Sequence, residues 1–267
     1  MTSRAARLAG RRLWIGVAGN GERLAPDVRA HLEAIRPGGL VLFRRNIASA
    51  PQVASWIRDA RDLLGPDLRI AVDQEHGLVT RFDRELAVFP GAMALGAAGM
   101  REPSLGEHLA RECGEAAGAQ LAELGVDVNL APVCDLAVRG DNPGLGVRSF
   151  SAHAALAGRL AAAWTRGQRS AGVASTLKHF PGLGAATLDT HLDLPYAEVR
   201  DLDAQLEPFA AGIAAGAECV MSTHAAFPAL DADAPATFSA PILRGLLRER
   251  LGFRGVLVTD DLEMGAV

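Results

Sequence analysis

Two carboxylates follow the last short apolar segment of the chain. Asp260 comes directly after Gly255–Thr259, which reads GVLVT, and Asp261 is the next residue. A carboxylate held at the end of a strand can attack an electrophilic carbon and form a covalent ester intermediate. Successive strand residues point to opposite faces, so Asp261 should point away from Asp260 and is placed to cap a following helix. A pair of aspartates at a helix N-terminus, with no part in chemistry, has the same sequence pattern.

A second candidate lies in residues 178–195, KHFPGLGAATLDTHLDLP, which the sequence predicts as a long mobile loop after a strand. Asp189 and His191 are two residues apart in this segment. A carboxylate beside an imidazole favours its protonated form, which is the form a general acid must supply. A surface histidine beside a turn aspartate has the same spacing, so spacing alone leaves both interpretations open.

Further polar side chains follow other apolar segments. Asp73 comes directly after LRIAV, and Lys178 and His179 come directly after ASTL. Together with Arg81 and Arg148 they would form a polar rim with the many hydrogen-bonding groups that sugar hydroxyls need. For the two arginines, ordinary surface salt bridges of little energetic consequence are the alternative interpretation.

A metal site is a third possibility, because the same segments supply oxygen and nitrogen ligands. No pair of histidines has the helical spacing of an HExxH motif, which counts against it. The residues concerned are Asp73, His179, His191 and His224.

The elements that position these side chains alternate between two kinds. Short apolar runs predict strands at Leu13–Val17, Gly39–Phe43, Leu68–Val72, Val126–Leu130, Ala174–Leu177, Cys219–Met221 and Gly255–Thr259. Segments with apolar residues three and four apart predict helices at Pro26–Ile35, Pro51–Leu64, Leu105–Leu124, Ala152–Ala171, Asp201–Gly216 and Ala240–Leu251.

This alternation predicts an α/β fold with a parallel sheet. With no linker or change of composition along residues 1–267, we expect a single domain with a TIM-like (β/α)8 barrel. The carboxyl ends of its strands share one face, so the candidate residues should meet there. Seven strands leave the barrel without its last helix–strand–helix. We therefore expect a C-terminally truncated barrel with an exposed strand edge.

Composition excludes several classes of protein. Of 267 residues, 49% are hydrophobic and 22% charged, which excludes a wholly disordered chain. A formal net charge of −4 argues against nucleic-acid binding. No apolar run reaches the roughly 20 residues of a membrane span. Three widely spaced cysteines fit a reducing compartment, so we expect a cytoplasmic protein, and a monomer.

Taken together, the motifs resemble those of the bacterial family 3 glycoside hydrolases, in the branch of the β-N-acetylglucosaminidases of peptidoglycan recycling. The resemblance runs in the same order through nearly the whole chain, and its most specific parts are KHFPG with DTH, and TDDL. The matching segments are Asp73–Arg81, Asn129–Asp135, Arg148–Ser151, Lys178–Gly182, Asp189–His191 and Val258–Leu262.

The resemblance implies a retaining mechanism without a cofactor. Asp260 matches the family's nucleophile, and His191 paired with Asp189 matches its acid/base dyad. The positions that hold the sugar are matched by Asp73, Arg81, Arg148, Lys178 and His179. The implied substrate is a small saccharide or muropeptide with a terminal β-linked N-acetylglucosamine.

Two residues depart from the family pattern. Leu183 stands where HFPGHG has its second histidine, a change expected to alter the packing of the loop and not proton transfer. His76 stands where DQEGG has a glycine, in a place where the backbone needs glycine's conformational freedom.

Three other functions remain open at this stage. A phosphorylase would use the same site, because a histidine acid/base has no negative charge to repel an incoming phosphate. A truncated barrel would also fit an inactive sugar-binding remnant. A metal-dependent barrel hydrolase is the third, and a chelator would abolish its activity.

Overall fold

Strands and helices alternate along the chain in the computed structural model, which describes residues 4–142, 144–186 and 194–266. The seven strands of the main sheet are β1 (Trp14–Ile15), β2 (Gly39–Leu42), β3 (Arg69–Val72), β6 (Val128–Asn129), β7 (Ala174–Phe180), β8 (Cys219–Ser222) and β9 (Val256–Thr259). A two-stranded antiparallel hairpin follows β3 and consists of β4 (Gln74–His76) and β5 (Val79–Thr80).

Helices connect the strands of the main sheet. They are α1 (Arg4–Gly10), α2 (Pro26–Ile35), α3 (Ala50–Leu64), α4 (Ala92–Arg101), α5 (Pro103–Leu124), α6 (Ala154–Ser170) and α7 (Leu202–Ala214). A helix with π-type hydrogen bonds covers Pro241–Arg250, and short 3₁₀ helices cover Arg44–Asn46, Gly146–Arg148 and Ala236–Phe238.

Local sequence sets several helix boundaries. The Ser49 hydroxyl accepts a hydrogen bond from the backbone N–H of Gln52 at the start of α3, and the Asp201 carboxylate caps α7 in the same way. α5 packs closely against α6, because Gly114 has no side chain. A Cβ atom at that position would lie 2.4 Å from the carbonyl oxygen of Trp164.

The main sheet is parallel throughout, with the strand order β1-β2-β3-β6-β7-β8-β9. A small apolar cluster formed by strand residues includes Ala71, Val128 and Met221, and two larger clusters include residues of both strands and helices. Among the described residues β1 and β9 are the edge strands, and Val256 in β9 is 49% exposed. This seven-stranded parallel arrangement confirms the α/β class.

The order of strands and helices agrees with the sequence prediction, but one boundary that matters for the site was wrong. β7 continues to Phe180, so Lys178 and His179 belong to a strand and not to a mobile loop. The loop was placed too early because KHFPG contains charge, proline and glycine, while pairing with β8 at Phe180 extends the strand. The hairpin β4–β5 and helices α1 and α4 were not predicted.

Within the described residues, no helix combines the length and the apolar composition that crossing a membrane requires.

Candidate active site

Seven ionisable side chains form a cluster near the ends of strands of the main sheet, and five of them are its centre, with Arg81 and Asp135 beside them. Asp73 directly follows β3, and Glu75 lies in β4. Lys178 and His179 lie near the carboxyl end of β7. Arg148 comes from the 3₁₀ helix Gly146–Arg148 in the connection after β6. Because β3 and β7 both flank β6, residues about 105 positions apart in sequence become direct neighbours.

Lys178 is buried between two carboxylates. Its Nζ lies 2.7 Å from Oδ1 of Asp73 and 2.6 Å from Oε1 of Glu75, and the residue is 2% exposed. Burial alone would lower the pKa of Lys178, but the negative charges of Asp73 and Glu75 outweigh it and raise that pKa. Lys178 is therefore a charged ammonium group with a fixed position.

Arg148 also binds the Glu75 carboxylate. Its Nε donates to Oε2 at 2.8 Å and a terminal nitrogen donates to Oε1 at 2.7 Å, a bidentate pair. Burial would raise the pKa of Glu75, but Lys178 and Arg148 together lower it to about 2. The surface salt-bridge interpretation of Arg148 is therefore wrong, since its side chain is only 16% exposed.

Arg81 and Asp73 form the outer part of the same cluster. The Arg81 guanidinium lies 3.6 Å from Oδ2 of Asp73, and its side chain is about one-third exposed. Gln74 holds the backbone here, because its Oε1 accepts hydrogen bonds from the N–H groups of Arg81 and Phe82. One carboxylate oxygen of Asp73 thus contacts the buried ammonium of Lys178, and the other faces the partly exposed guanidinium of Arg81.

His179 is held by Asp135, which is 1% exposed. The His179 Nδ1 lies 2.6 Å from Oδ2 of Asp135, and the backbone N–H groups of His179 and Leu183 also donate to that carboxylate. The His179 Nε2 lies 3.4 Å from a terminal nitrogen of Arg148, which can only donate. Nε2 therefore accepts, and the imidazole proton sits on Nδ1, facing Asp135.

Asp260 directly follows β9 and is partly exposed. Its backbone N–H donates to the carbonyl oxygen of Ser222, and its Oδ1 accepts from the N–H of Asp261 at 2.9 Å. Asp261 closes a turn, because its side chain accepts from the N–H of Glu263. The predicted helix after Asp261 is absent among residues 261–266, which form turns.

The structure brings together Asp73, Arg81, Arg148, Lys178 and His179, as the sequence predicted. The predicted dyad residues Asp189 and His191 lie outside the described residues. Two members of the cluster were missed as site residues, namely Glu75 and Asp135. Their sequence signal was the same one that marked the others, since both follow predicted strands.

The metal interpretation finds no support among the described residues, where no group of three or more potential ligands comes together. Both ring nitrogens of His224 are used in other contacts, with Thr237 Oγ1 and with the Asp261 carbonyl. His179 and Asp73 are likewise paired with Asp135 and Lys178.

The two departures from the family pattern have distinct structural roles. His76 has a backbone φ of +66°, so the backbone does adopt the left-handed conformation that glycine accepts most easily. Its ring is buried against Phe89 and Trp164. Leu183 is 4% exposed within the main apolar cluster, where it fills space beside the Asp135 carboxylate.

The chain is similar to known proteins over most of its length. Residues 12–267 match the glycosyl hydrolase family 3 N terminal domain. A beta-hexosaminidase of Xylella fastidiosa (strain M23) is 41% identical over 259 residues, which are 96% of this chain and 76% of that protein.

Two solved structures are similar over most of this chain. A family 3 β-N-acetylglucosaminidase from Paenibacillus sp. str. FPU-7 has a TM-score of 0.92 at 39% identity, covering 100% of this chain and 51% of that one. The chain thus spans about half the length of that protein. NagZ from Neisseria gonorrhoeae, in complex with N-trifluoroacetyl-D-glucosamine, has a TM-score of 0.87 at 33% identity, covering 94% and 73%.

Proposed function

Because this chain belongs to glycosyl hydrolase family 3 and is a glycoside hydrolase, we propose that it removes terminal β-linked N-acetylglucosamine from cell-wall fragments. In this proposal the reaction retains the anomeric configuration and proceeds through a covalent glycosyl ester on Asp260. Residues 1–267 act as one barrel-type domain. The protein uses no cofactor.

The register of three neighbouring strands carries this proposal. Phe180 in β7 pairs with Ser222 in β8, and Ser222 pairs with Thr259 in β9. Lys178 and His179 immediately precede the first of these residues, and Asp260 immediately follows the last. A charged, hydrogen-bonding cluster and a partly exposed carboxylate are therefore at the same end of β7 and β9, the two strands that flank β8, where parallel α/β proteins build active sites.

The cluster suits a sugar because its charges are neutralised and held in place before a ligand arrives. Lys178, Arg148 and Arg81 present donors, while Asp73 presents acceptors, and such a set can bind vicinal hydroxyl groups. Fixed groups lose little conformational entropy on binding. A relative solved with N-trifluoroacetyl-D-glucosamine supports an N-acylated glucosamine as the bound sugar.

The proposed reaction has two steps. In the first, an Asp260 carboxylate oxygen bonds to the anomeric carbon as the glycosidic C–O bond breaks, and His191 gives its proton to the departing oxygen. In the second, neutral His191 takes a proton from water, whose oxygen displaces Asp260 and restores the original configuration. Asp189 favours the protonated imidazole before the first step.

We expect a small saccharide or muropeptide as substrate, and a monomeric enzyme. The three cysteines are free and buried, which fits a reducing compartment such as the cytoplasm.

Hydrolysis of 4-nitrophenyl β-N-acetylglucosaminide tests the proposal, with the first sugar anomer identified by proton NMR. We expect the β-anomer first and turnover that resists a chelator and does not require phosphate. The α-anomer as first product would contradict the mechanism.

Other outcomes identify the alternatives. Phosphate-dependent formation of a sugar 1-phosphate would identify a phosphorylase, and loss of turnover with a chelator would indicate a metal-dependent hydrolase. A folded protein that binds N-acetylglucosamine without turnover would be a sugar-binding remnant. Each of these results would replace the proposed function.

A further inference from the structure

His224 is a fully buried histidine outside the cluster described above, in the segment that follows β8. Its Nδ1 lies 2.9 Å from the Thr237 hydroxyl, and its Nε2 lies 3.0 Å from the backbone carbonyl oxygen of Asp261. Asp261 is the residue that follows the proposed nucleophile. This contact therefore joins a buried side chain in the segment after β8 to the turn after β9.

The direction of the second hydrogen bond follows from chemistry. A carbonyl oxygen can only accept, so Nε2 of His224 must carry a proton and donate it to Asp261. On the other side, the Thr237 hydroxyl is also 2.9 Å from the carbonyl oxygen of Thr223 and from the Ser222 hydroxyl. The single Thr237 proton can point to Thr223, to Ser222 or to Nδ1, and none of these arrangements changes the requirement that Nε2 donates to Asp261.

Asp261 connects the His224 hydrogen bond to the Asp260 carboxylate. The Asp261 N–H donates to Oδ1 of Asp260, and the ladder between β8 and β9 ends with the Asp260 N–H on Ser222. Beyond that point, residues 261–263 are exposed. Past the end of the ladder, the Asp261 carbonyl accepts from the N–H of Met264 within the turn and from His224, which is the contact that ties the turn to the buried interior. The Asp261 N–H in turn holds Oδ1 of Asp260. The second carboxylate oxygen, Oδ2, is then the one that remains for bond formation.

We propose that His224 is a positioning residue for the nucleophile. Resting on the proposed function, this inference adds that a hydrogen bond from His224 to the Asp261 backbone orients the Asp260 carboxylate for attack on the anomeric carbon. Reaction rates depend steeply on such alignment, and a displacement of about 1 Å can cost about 100-fold. The effect should appear in the bond-forming step and not in sugar binding, because His224 belongs to a different set of contacts from Lys178 and Arg148.

Substitutions of His224 by asparagine and by glutamine distinguish the roles of its two ring nitrogens. In His224→Asn the side-chain amide reaches the position of Nδ1 and leaves the Asp261 carbonyl with the Met264 N–H as its remaining donor. In His224→Gln the longer side chain carries an N–H group to the position of Nε2. We expect His224→Asn to lower kcat by about 10- to 100-fold with KM within about threefold, and His224→Gln to recover most of that loss.

Ser239→Ala is the matched stability control. The Ser239 hydroxyl donates a hydrogen bond to the Asp231 carboxylate and accepts one from the N–H of Ile242. The substitution therefore weakens the segment after Thr237 without changing the His224 contacts. It should lower the melting temperature and leave kcat unchanged. If His224→Asn and His224→Gln lose kcat equally, or if kcat follows the melting temperature in all three variants, His224 is structural only and the inference is wrong.

Labelling of Asp260 by an activated 5-fluoro glycosyl fluoride of N-acetylglucosamine separates this inference from the proposed function. We expect His224→Asn to slow the maximal labelling rate by about the same factor as kcat. A wild-type protein that is not labelled at Asp260 would overturn the proposed function and this inference with it. Labelling of wild type and His224→Asn at equal rates would overturn the inference alone.

Discussion

The ammonium of Lys178 lies 2.6 Å from Oε1 of Glu75, and both side chains are almost completely buried. The same carboxylate receives the two hydrogen bonds from Arg148. Glu75 is therefore the centre of the cationic part of the site. Its charge allows two buried cations to lie close together, and this arrangement fixes the positions of both.

Replacing Glu75 by glutamine should strongly destabilise the protein. The substitution removes the charge that compensates Lys178 and Arg148, and breaking one partner of a buried ion pair costs about 3–5 kcal/mol. Urea unfolding should show this loss in the free energy of unfolding. As a control, Glu115→Gln in the exposed pair with Arg111 should change it by less than about 1 kcal/mol. Equal effects of the two substitutions would contradict the buried network.

His76 should make the stability depend on pH between 6.5 and 4. Burial lowers the pKa of His76 to about 4 from the ordinary 6.5. As the pH falls through this range, the unfolded chain binds a proton at His76 before the folded protein does, so the free energy of unfolding decreases. The two values correspond to about 3 kcal/mol.

His76→Asn removes this titration and keeps a residue that tolerates positive φ. The variant should lose some stability at every pH, because contacts with Phe89 and Trp164 are lost, but less additional stability between pH 6.5 and 4. Exposed His31 offers a control, and His31→Asn should keep the wild-type pH dependence. An unchanged slope in His76→Asn would contradict the assignment.

Asp135→Asn should change the hydrogen bonding of His179 without changing volume. The carboxylate accepts the Nδ1 proton, whereas an amide offers a donor as well and weakens the preference for that tautomer. We expect kcat/KM to fall by about 10- to 100-fold. Nitrogen NMR of labelled histidine should show the Nδ1–H form of His179 in the wild type. An Nε2–H form there would contradict the assignment.

His191→Ala should slow substrates with poor leaving groups more than activated aryl glycosides, because only the former need a proton on the departing oxygen. The measurement is kcat/KM across a series of aryl β-N-acetylglucosaminides of increasing phenol pKa. The variant should show a steeper dependence on that pKa than the wild type. Parallel lines for the two proteins would remove His191 from the acid role.

The sequence alone was sufficient for the order in which strands and helices follow each other along the chain. The spacing of apolar residues and the composition differ clearly between the buried strands and the amphipathic helices. The sequence also placed Asp73, Lys178 and His179 at the ends of predicted strands. It missed the extension of β7 to Phe180, since strand pairing over that stretch depends on β8, about 40 residues later. A pairing between residues so far apart cannot be predicted from the local sequence pattern.

Asp135 illustrates the same limit for the site. Its role depends on N–H groups of His179 and Leu183, 44 and 48 residues away in sequence. Glu75 was visible as part of DQE, but its function as the partner of two cations appears only when β4 lies beside β7 and the Arg148 helix. The assignment of Asp189 and His191 stays a prediction, because both lie outside the described residues.

Identification of the carboxylate that becomes glycosylated tests the central claim most directly. The protein is incubated with the activated 5-fluoro glycosyl fluoride of N-acetylglucosamine, digested with pepsin and analysed by tandem mass spectrometry. We expect one equivalent of sugar on the peptide that contains Asp260, and none in Asp260→Asn. A label on Asp73, Glu75 or any other carboxylate, or turnover without a label, would contradict the account.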